Sequence, residues 1–151
     1  MKILLLCSGF NGLSQRVWIE LTEAGHDVHT HLADGDDGLR RAVAEFDPDL
    51  VVVRMDQIGG AKFTEPPLLV VEIRSPSTAL IDLNRKKAAY ERFGVPSYWI
   101  LNPDPPQPEL TVFELRDGGY APVAKTSQPF AVGHPFAVSI DPADLTRGLR
   151  R

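Results

Sequence analysis

Residues 2–7, apolar throughout after Lys2, form a run that ends at Ser8-Gly9-Phe10-Asn11-Gly12. A short segment that is apolar at every position suits a strand covered on both faces. Leu13, Val17, Leu21 and Ala24 then recur at helical spacing, and Gly25 stands where a helix C-terminus is closed. The stretch from His26 to Ala33 predicts a second strand. Leu39, Ala42, Val43 and Phe46 make an i, i+3, i+4, i+7 stripe, and Asp49-Leu-Val-Val-Val-Arg54 predicts a third strand. The first third therefore predicts β-α-β-α-β with right-handed crossovers.

From about Met55 the pattern changes. Leu68-Leu-Val-Val-Glu-Ile-Arg74 predicts a strand, but only a loop with Gly59-Gly60 and Pro66-Pro67 precedes it. With no crossover helix available, strands 50–54 and 68–74 are expected to pair antiparallel. Ser75-Pro-Ser-Thr78 ends this strand, a helix from about Ala79 to Phe93 closes at Gly94, and Ser97-Tyr-Trp-Ile-Leu101 is the next strand. The segment Asn102 to Pro108 is too proline-rich for a helix or a central strand. Leu110–Leu115 and Tyr120–Lys125 flank Asp117-Gly118-Gly119, a hairpin signal. Leu145 to Arg151 reads as a frayed basic tail.

Composition narrows the chemistry. The 151 residues carry 16 Lys+Arg against 20 Asp+Glu, a net charge of −4, which excludes a polybasic mode of binding nucleic acid or membrane. Any phosphate contact must come from a local patch. A single cysteine, Cys7, excludes an internal disulfide framework and a cysteine zinc cluster, and fits a cytoplasmic setting. The N-terminal apolar run falls short of the ~20 residues needed to span a bilayer, so no membrane association is expected.

Gly9-x-x-Gly12 is an incomplete dinucleotide fingerprint, and turn formation accounts for Asp34-Gly-Asp-Asp37. His26, His29 and His31 lack an acidic or cysteine partner at defined spacing, and a surface-exposed pair at 29 and 31 is the simpler reading. Acidic residues form the stronger constellation. Glu72 interrupts an apolar strand, where a carboxylate is costly unless solvated, paired or bound to a cation. If the two strands pair antiparallel, Asp49 at the start of one meets Glu72 near the end of the other. With the backbone carbonyl of Ile73 they would make an oxygen-rich site suited to Mg²⁺ or Mn²⁺. The alternative is an ion pair of Glu72 with Arg74 or Lys86. Leu83, Lys86 and Tyr90 share a helical stripe, so Lys86 either snorkels to the rim or points into the polar pocket the acids offer, while Lys87 lies about 100° further round. A metal, two acids and an ammonium are what in-line phosphodiester hydrolysis requires.

Two resemblances follow from these residues. Pro48-Asp49 before a Val-rich strand, Pro67-Leu-Leu-Val-Val-Glu-Ile-Arg-Ser-Pro-Ser-Thr78, Asp82-Leu-Asn-Arg-Lys-Lys-Ala-Ala-Tyr90 and Gly94-Val-Pro-Ser-Tyr-Trp99 make residues ~47–147 resemble the Uma-two family of restriction-endonuclease-like proteins. That family is a branch of the PD-(D/E)XK nuclease-like fold. The resemblance implies a metal-dependent nuclease core with Asp49 and Glu72 on the metal, the lysine moved from strand to helix as Lys86, and Arg74 in the usual E-x-K slot as a fixed positive charge. Residues ~1–54, through Met1-Lys-Ile-Leu-Leu-Leu-Cys-Ser-Gly-Phe-Asn-Gly12, Glu23-Ala-Gly-His-Asp-Val28 and Phe46-Asp-Pro-Asp-Leu50, resemble the start of hydrogenase-maturation proteins with a formyltransferase-like domain. Only scaffold is matched there, because that domain's catalytic Asn, His and Asp lie beyond the matching portion.

The expectation is thus an α/β fold: a short Rossmann-like segment, 1–46, running into a nuclease-like mixed sheet with a C-terminal hairpin, 47–147, as one compact unit. The expected function is Mg²⁺- or Mn²⁺-dependent endonucleolytic hydrolysis of DNA by Asp49, Glu72 and Lys86, with Asp49, Glu72 and Ile73 on the metal. A homo-oligomer is compatible with this reading. The alternatives are a non-catalytic binding protein on a degenerate nuclease fold, or an accessory protein related to hydrogenase maturation and formyl transfer.

Overall fold

The computed structural model describes residues 2–7, 12–32, 50–54, 58–59, 62–63, 65–74, 80–104 and 106–146. Their elements are β1 (Lys2–Cys7), α1 (Gly12–Glu23), β2 (Asp27–Leu32), β3 (Leu50–Arg54), β4 (Ile58–Gly59), β5 (Lys62–Phe63), β6 (Leu69–Ile73), α2 (Leu80–Phe93), β7 (Ser97–Asn102), β8 (Glu109–Arg116), β9 (Gly119–Thr126), β10 (Phe130–Val132), β11 (Val138–Ile140) and α3 (Pro142–Leu145). One mixed sheet of seven strands, ordered β2-β1-β3-β6-β7-β8-β9, organises the chain, with β4–β5 and β10–β11 as separate two-stranded ladders.

The apolar runs sit at the centre of this sheet because both of its faces are covered. Leu50, Val52, Leu69, Val71, Trp99 and Leu101 face a larger core closed by α1, α3 and the β10–β11 ladder. Val51, Val53, Val70 and Tyr98 face a smaller core closed by Tyr90 and Val95 of α2 and its exit. Strict alternation along β3 and β6 thus delivers successive residues to opposite layers. Arg16 bridges α1 to α3 by pairing with Glu20 of its own helix and with Asp144 at 3.1 Å.

Strand directions partly follow expectation. β1 and β2 are parallel, joined through α1, and β3 and β6 are antiparallel with Leu50 opposite Val71 and Val52 opposite Leu69. The second right-handed crossover is corrected: β3 runs antiparallel to β1, with Ile3 opposite Arg54 and Cys7 opposite Leu50. A crossover joins parallel strands, so β-α-β describes the segment only as far as β2. The stripe at 39–46 and the turn at 34–37 lie outside the described residues. Leu145 is also corrected. Far from beginning a frayed tail, it is 1% exposed and ends α3. Asp141 caps that helix by accepting from the Ala143 amide at 2.9 Å, with Pro142 at its first position. Among the described residues, no helix is long and apolar enough to cross a membrane.

The β8–β9 hairpin turns on Asp117 and Gly118, with φ of 51° and 81°, as a two-residue turn with both central residues left-handed requires. Further along, the register slips between Val112 and Phe113, which pair with Ala124 and Pro122, leaving Val123 as the bulged residue. α2 ends in a Schellman arrangement: the Val95 amide donates to the Tyr90 carbonyl and the Gly94 amide to that of Glu91.

Gly94 has φ +84°, and a Cβ there would meet Pro66 Cγ at 3.4 Å. Gly94→Ala is expected to cost about 1–2 kcal/mol of unfolding free energy, the scale of forcing a side chain into the left-handed region. Gly133, with open space around it, is the control. Urea denaturation of the two alanine variants measures the difference, and equal stabilities would contradict the assigned role of the C-terminal glycine.

Candidate active site around a buried carboxylate

Glu72 lies one residue from the end of β6, paired with Ile100 of β7, and follows Val70 onto the face beneath α2. It is 2% exposed. A carboxylate so buried must recover its lost hydration from donors. Tyr90 supplies one, its hydroxyl donating to Oε1 at 2.7 Å, and Lys86 supplies another, its Nζ donating to Oε2 at 3.0 Å. Both side chains belong to α2, one helical turn apart, so they project from the same face one above the other. Leu83, at the preceding position of this stripe, is 4% exposed and anchors it in the core. The lysine reaches in from the rim: its side chain retains 19% exposure against 3% for the glutamate.

Of the two cations weighed for Glu72, the helix lysine makes the ion pair. Arg74 is exposed, and its backbone amide donates to the Leu101 carbonyl at 2.7 Å. Lys87 is directed elsewhere, its Nζ 4.2 Å from the ring centroid of Phe113 on β8, a cation–π contact. One residue of helical rotation therefore sends adjacent lysines to different structures. Ile73, at the last position of β6, packs its side chain against the larger core on the opposite face from Glu72. Asp49 lies outside the described residues. Its chain neighbour Leu50 stands opposite Val71, the residue before Glu72.

Tyr90 is the residue that sequence reasoning placed in the core without a role. The available signal was its spacing of four from Lys86, which places both on one face of the helix. Its ring also belongs to an aromatic group, with centroids 5.3 Å from Tyr98, which in turn stacks on Phe113 and Tyr120. Tyr120 donates its hydroxyl to the Val95 carbonyl at 2.8 Å, and its backbone amide donates to Glu91 Oε2 at 2.6 Å. Burial, reinforced by the Glu91 carboxylate, holds the Tyr120 phenol well above its ordinary pKa, so it stays protonated at neutral pH. It is a structural donor.

Two of the three weighed histidines have separate neighbours. His29 Nε2 lies 3.3 Å from Asp27 on exposed β2, while His26 sets its ring edge-on to Phe136 with centroids 6.0 Å apart. The side chain of His31 is outside the described set. Among the described residues, no group of three His, Cys, Asp or Glu side chains is placed to hold a metal. What β6 does offer is the hard oxygen chemistry of a buried carboxylate, a donor type that suits Mg²⁺ or Mn²⁺.

Comparison with known proteins adds three findings. The family model Uma2, described as "Putative restriction endonuclease", matches residues 12–140. The match starts at the beginning of α1, well before the position near 47 expected from the motifs. Hydrogenase maturation factor HoxX of Bradyrhizobium diazoefficiens is 48% identical over 52 residues, which are 34% of this chain and 9% of that protein. The chain thus spans less than a tenth of that relative's length. The crystal structure of "a putative nuclease belonging to DUF820" from Anabaena variabilis superposes with a TM-score of 0.49 at 20% identity, over 65% of this chain and 57% of that one.

Removing the Tyr90 hydroxyl takes a hydrogen bond from a buried charged group. Tyr90→Phe is expected to lower unfolding free energy by about 1.5–3 kcal/mol, the scale for bonds to ionised partners. In a Glu72→Gln background the same change should cost less than half as much. Chemical denaturation of the four proteins in this cycle gives the coupling. An identical loss in both backgrounds would show that the hydroxyl stabilises the fold by some route other than Glu72.

Proposed function

The chain belongs to the Uma2 family, and from that premise we propose that it is a divalent-metal-dependent endonuclease that hydrolyses DNA phosphodiester bonds. The observation that carries the proposal is the buried Glu72 carboxylate with the Lys86 ammonium on one oxygen and the Tyr90 hydroxyl on the other. In this reading Asp49, Glu72 and the Ile73 carbonyl hold Mg²⁺ or Mn²⁺. The antiparallel register supports the pairing of the two acids, because their chain neighbours Leu50 and Val71 stand opposite each other.

A bound Mg²⁺ supplies a Lewis acid and lowers the pKa of its water, which makes a nucleophile available at neutral pH. The chain's own residues do the rest. Tyr90 fixes the plane of the Glu72 carboxylate, so the acid need not reorganise during the reaction. Lys86 brings a positive charge to the rim of the same site, where negative charge develops on the phosphoryl oxygens as water attacks phosphorus and the bond to the leaving oxygen breaks. The burial around Glu72 excludes bulk water, which strengthens these interactions. Arg74, Arg85 and Arg92 are exposed near this end of the sheet and on α2, a local source of attraction for the DNA backbone in a chain of net charge −4.

Two measurements test the assignment. Mg²⁺ or Mn²⁺ should raise the melting temperature of the wild type through selective binding to the native state, and Asp49→Asn with Glu72→Gln should abolish the increment. An equal shift in the double variant would dispose of the site. Cleavage of plasmid and single-stranded DNA should be metal-dependent and fall on the order of 10²–10³ in Lys86→Ala, the scale of losing a preorganised electrostatic group. Lys87→Ala should retain most of the rate. Equal losses in both lysine variants would refute the role of the helical face, and no cleavage by wild type across metals and substrates would favour a binding protein.

A further inference from the structure

The proposed site raises a question about order: the ammonium and a divalent cation would address the same carboxylate. We infer that Lys86 is a resident countercation of Glu72 that gives way when the metal binds, so that its charge reaches the substrate only after the metal is in place. This rests on the endonuclease reading above and adds a sequence of events to it.

The two partners of Glu72 on α2 differ in their freedom to move. Tyr90 is 3% exposed and wedged against Tyr98 at 5.3 Å between ring centroids, so its hold on Oε1 is part of the core packing. Lys86 holds Oε2 at 3.0 Å from a side chain that is 19% exposed. Its four-carbon stem can rotate toward solvent without disturbing the helix. A carboxylate with 3% side-chain exposure needs a positive neighbour in the folded protein, and the ammonium fills that need before any metal arrives. A dication in contact with Glu72 supplies the charge instead and repels an ammonium held within ion-pair distance. The lysine is then displaced toward the solvent that its side chain already meets.

Exchange has a consequence opposite to that of cooperation. If Lys86 must leave Oε2, it competes with the metal, and the apparent affinity is reduced by the fraction of molecules with the site open. Removing the charge should therefore tighten metal binding while cleavage falls. A lysine that stays in place beside a bound metal would also tighten binding on removal, by relief of repulsion, and the labelling measurement below separates that case from exchange. One that helps to build the metal site would weaken it on removal.

Titration of Mn²⁺, followed by electron paramagnetic resonance of the free ion, should give an affinity on the order of 5–10-fold tighter for Lys86→Met than for wild type, with binding lost in Glu72→Gln. An unchanged or weaker affinity in Lys86→Met, with Glu72→Gln still defective, overturns the exchange and leaves the metal site standing. Wild-type affinity in Glu72→Gln overturns both. A second measurement needs no variant and covers a failure of Lys86→Met to fold. Reductive methylation of the wild type, read residue by residue by mass spectrometry, should show Lys86 becoming more reactive on adding Mg²⁺ while Lys87 is unchanged. Constant Lys86 labelling across a saturating Mg²⁺ titration also overturns the exchange.

Discussion

A carboxylate inside a sheet is the constraint around which the rest of this molecule is arranged. Glu72 sits in a strand whose preceding residues are fully apolar, and its burial requires donors, which α2 supplies to both oxygens. That requirement fixes the rotation of α2 about its axis and its position along the sheet. The same helix meets its neighbours at four positions that form one patch: Lys86 and Tyr90 on Glu72, Lys87 on the Phe113 ring, Glu91 on the Tyr120 amide. A turn of the helix by a single residue would break all four together. The left-handed Gly94 and the β7 strand that follows keep the helix in register from its C-terminal end.

Much of this was legible in the chain itself, and the exceptions have physical causes. Uniformly apolar runs identified central strands, because such runs occur where both faces are covered. The missing crossover helix before residue 68 correctly set β6 antiparallel to β3. Direction failed at β3 relative to β1, since hydrophobic periodicity reports which side of a strand is buried and carries nothing about which way it runs. Lys86 was separable from Lys87 because helical rotation is a strong geometric rule. Tyr90 was not recognised as a partner of Glu72 because an aromatic ring on a buried stripe is fully accounted for by packing, and its hydroxyl leaves no separate trace in the pattern. Leu145 was read as tail because four residues of helix are too few to show periodicity, whereas its burial depends on α1, far away in sequence.

The N-terminal strands invite description as a separate module, yet the sheet treats them as part of one body. β1 lies between β2 and β3, and Ile3 and Leu5 share a core with Leu50, Val52, Leu69 and Trp99. Removing β1 would strip β3 of a ladder partner and open the larger core to water. Similarity to two different protein groups along one chain therefore coexists with one seven-stranded sheet and a larger core shared by β1, β3, β6 and β7.

The far edge of the sheet bears on quaternary structure. In a two-residue hairpin closed by Arg116 and Gly119, alternation places Tyr120 and Pro122 at positions whose amides would point off the β9 edge. Glu91 already occupies the first, and proline has no amide proton to offer at the second. Beyond them Val123 bulges out of the ladder. An incoming strand finds no regular row of donors along this stretch, which makes it a poor template for strand addition. Strand addition to this sheet is therefore disfavoured along that part of the β9 edge.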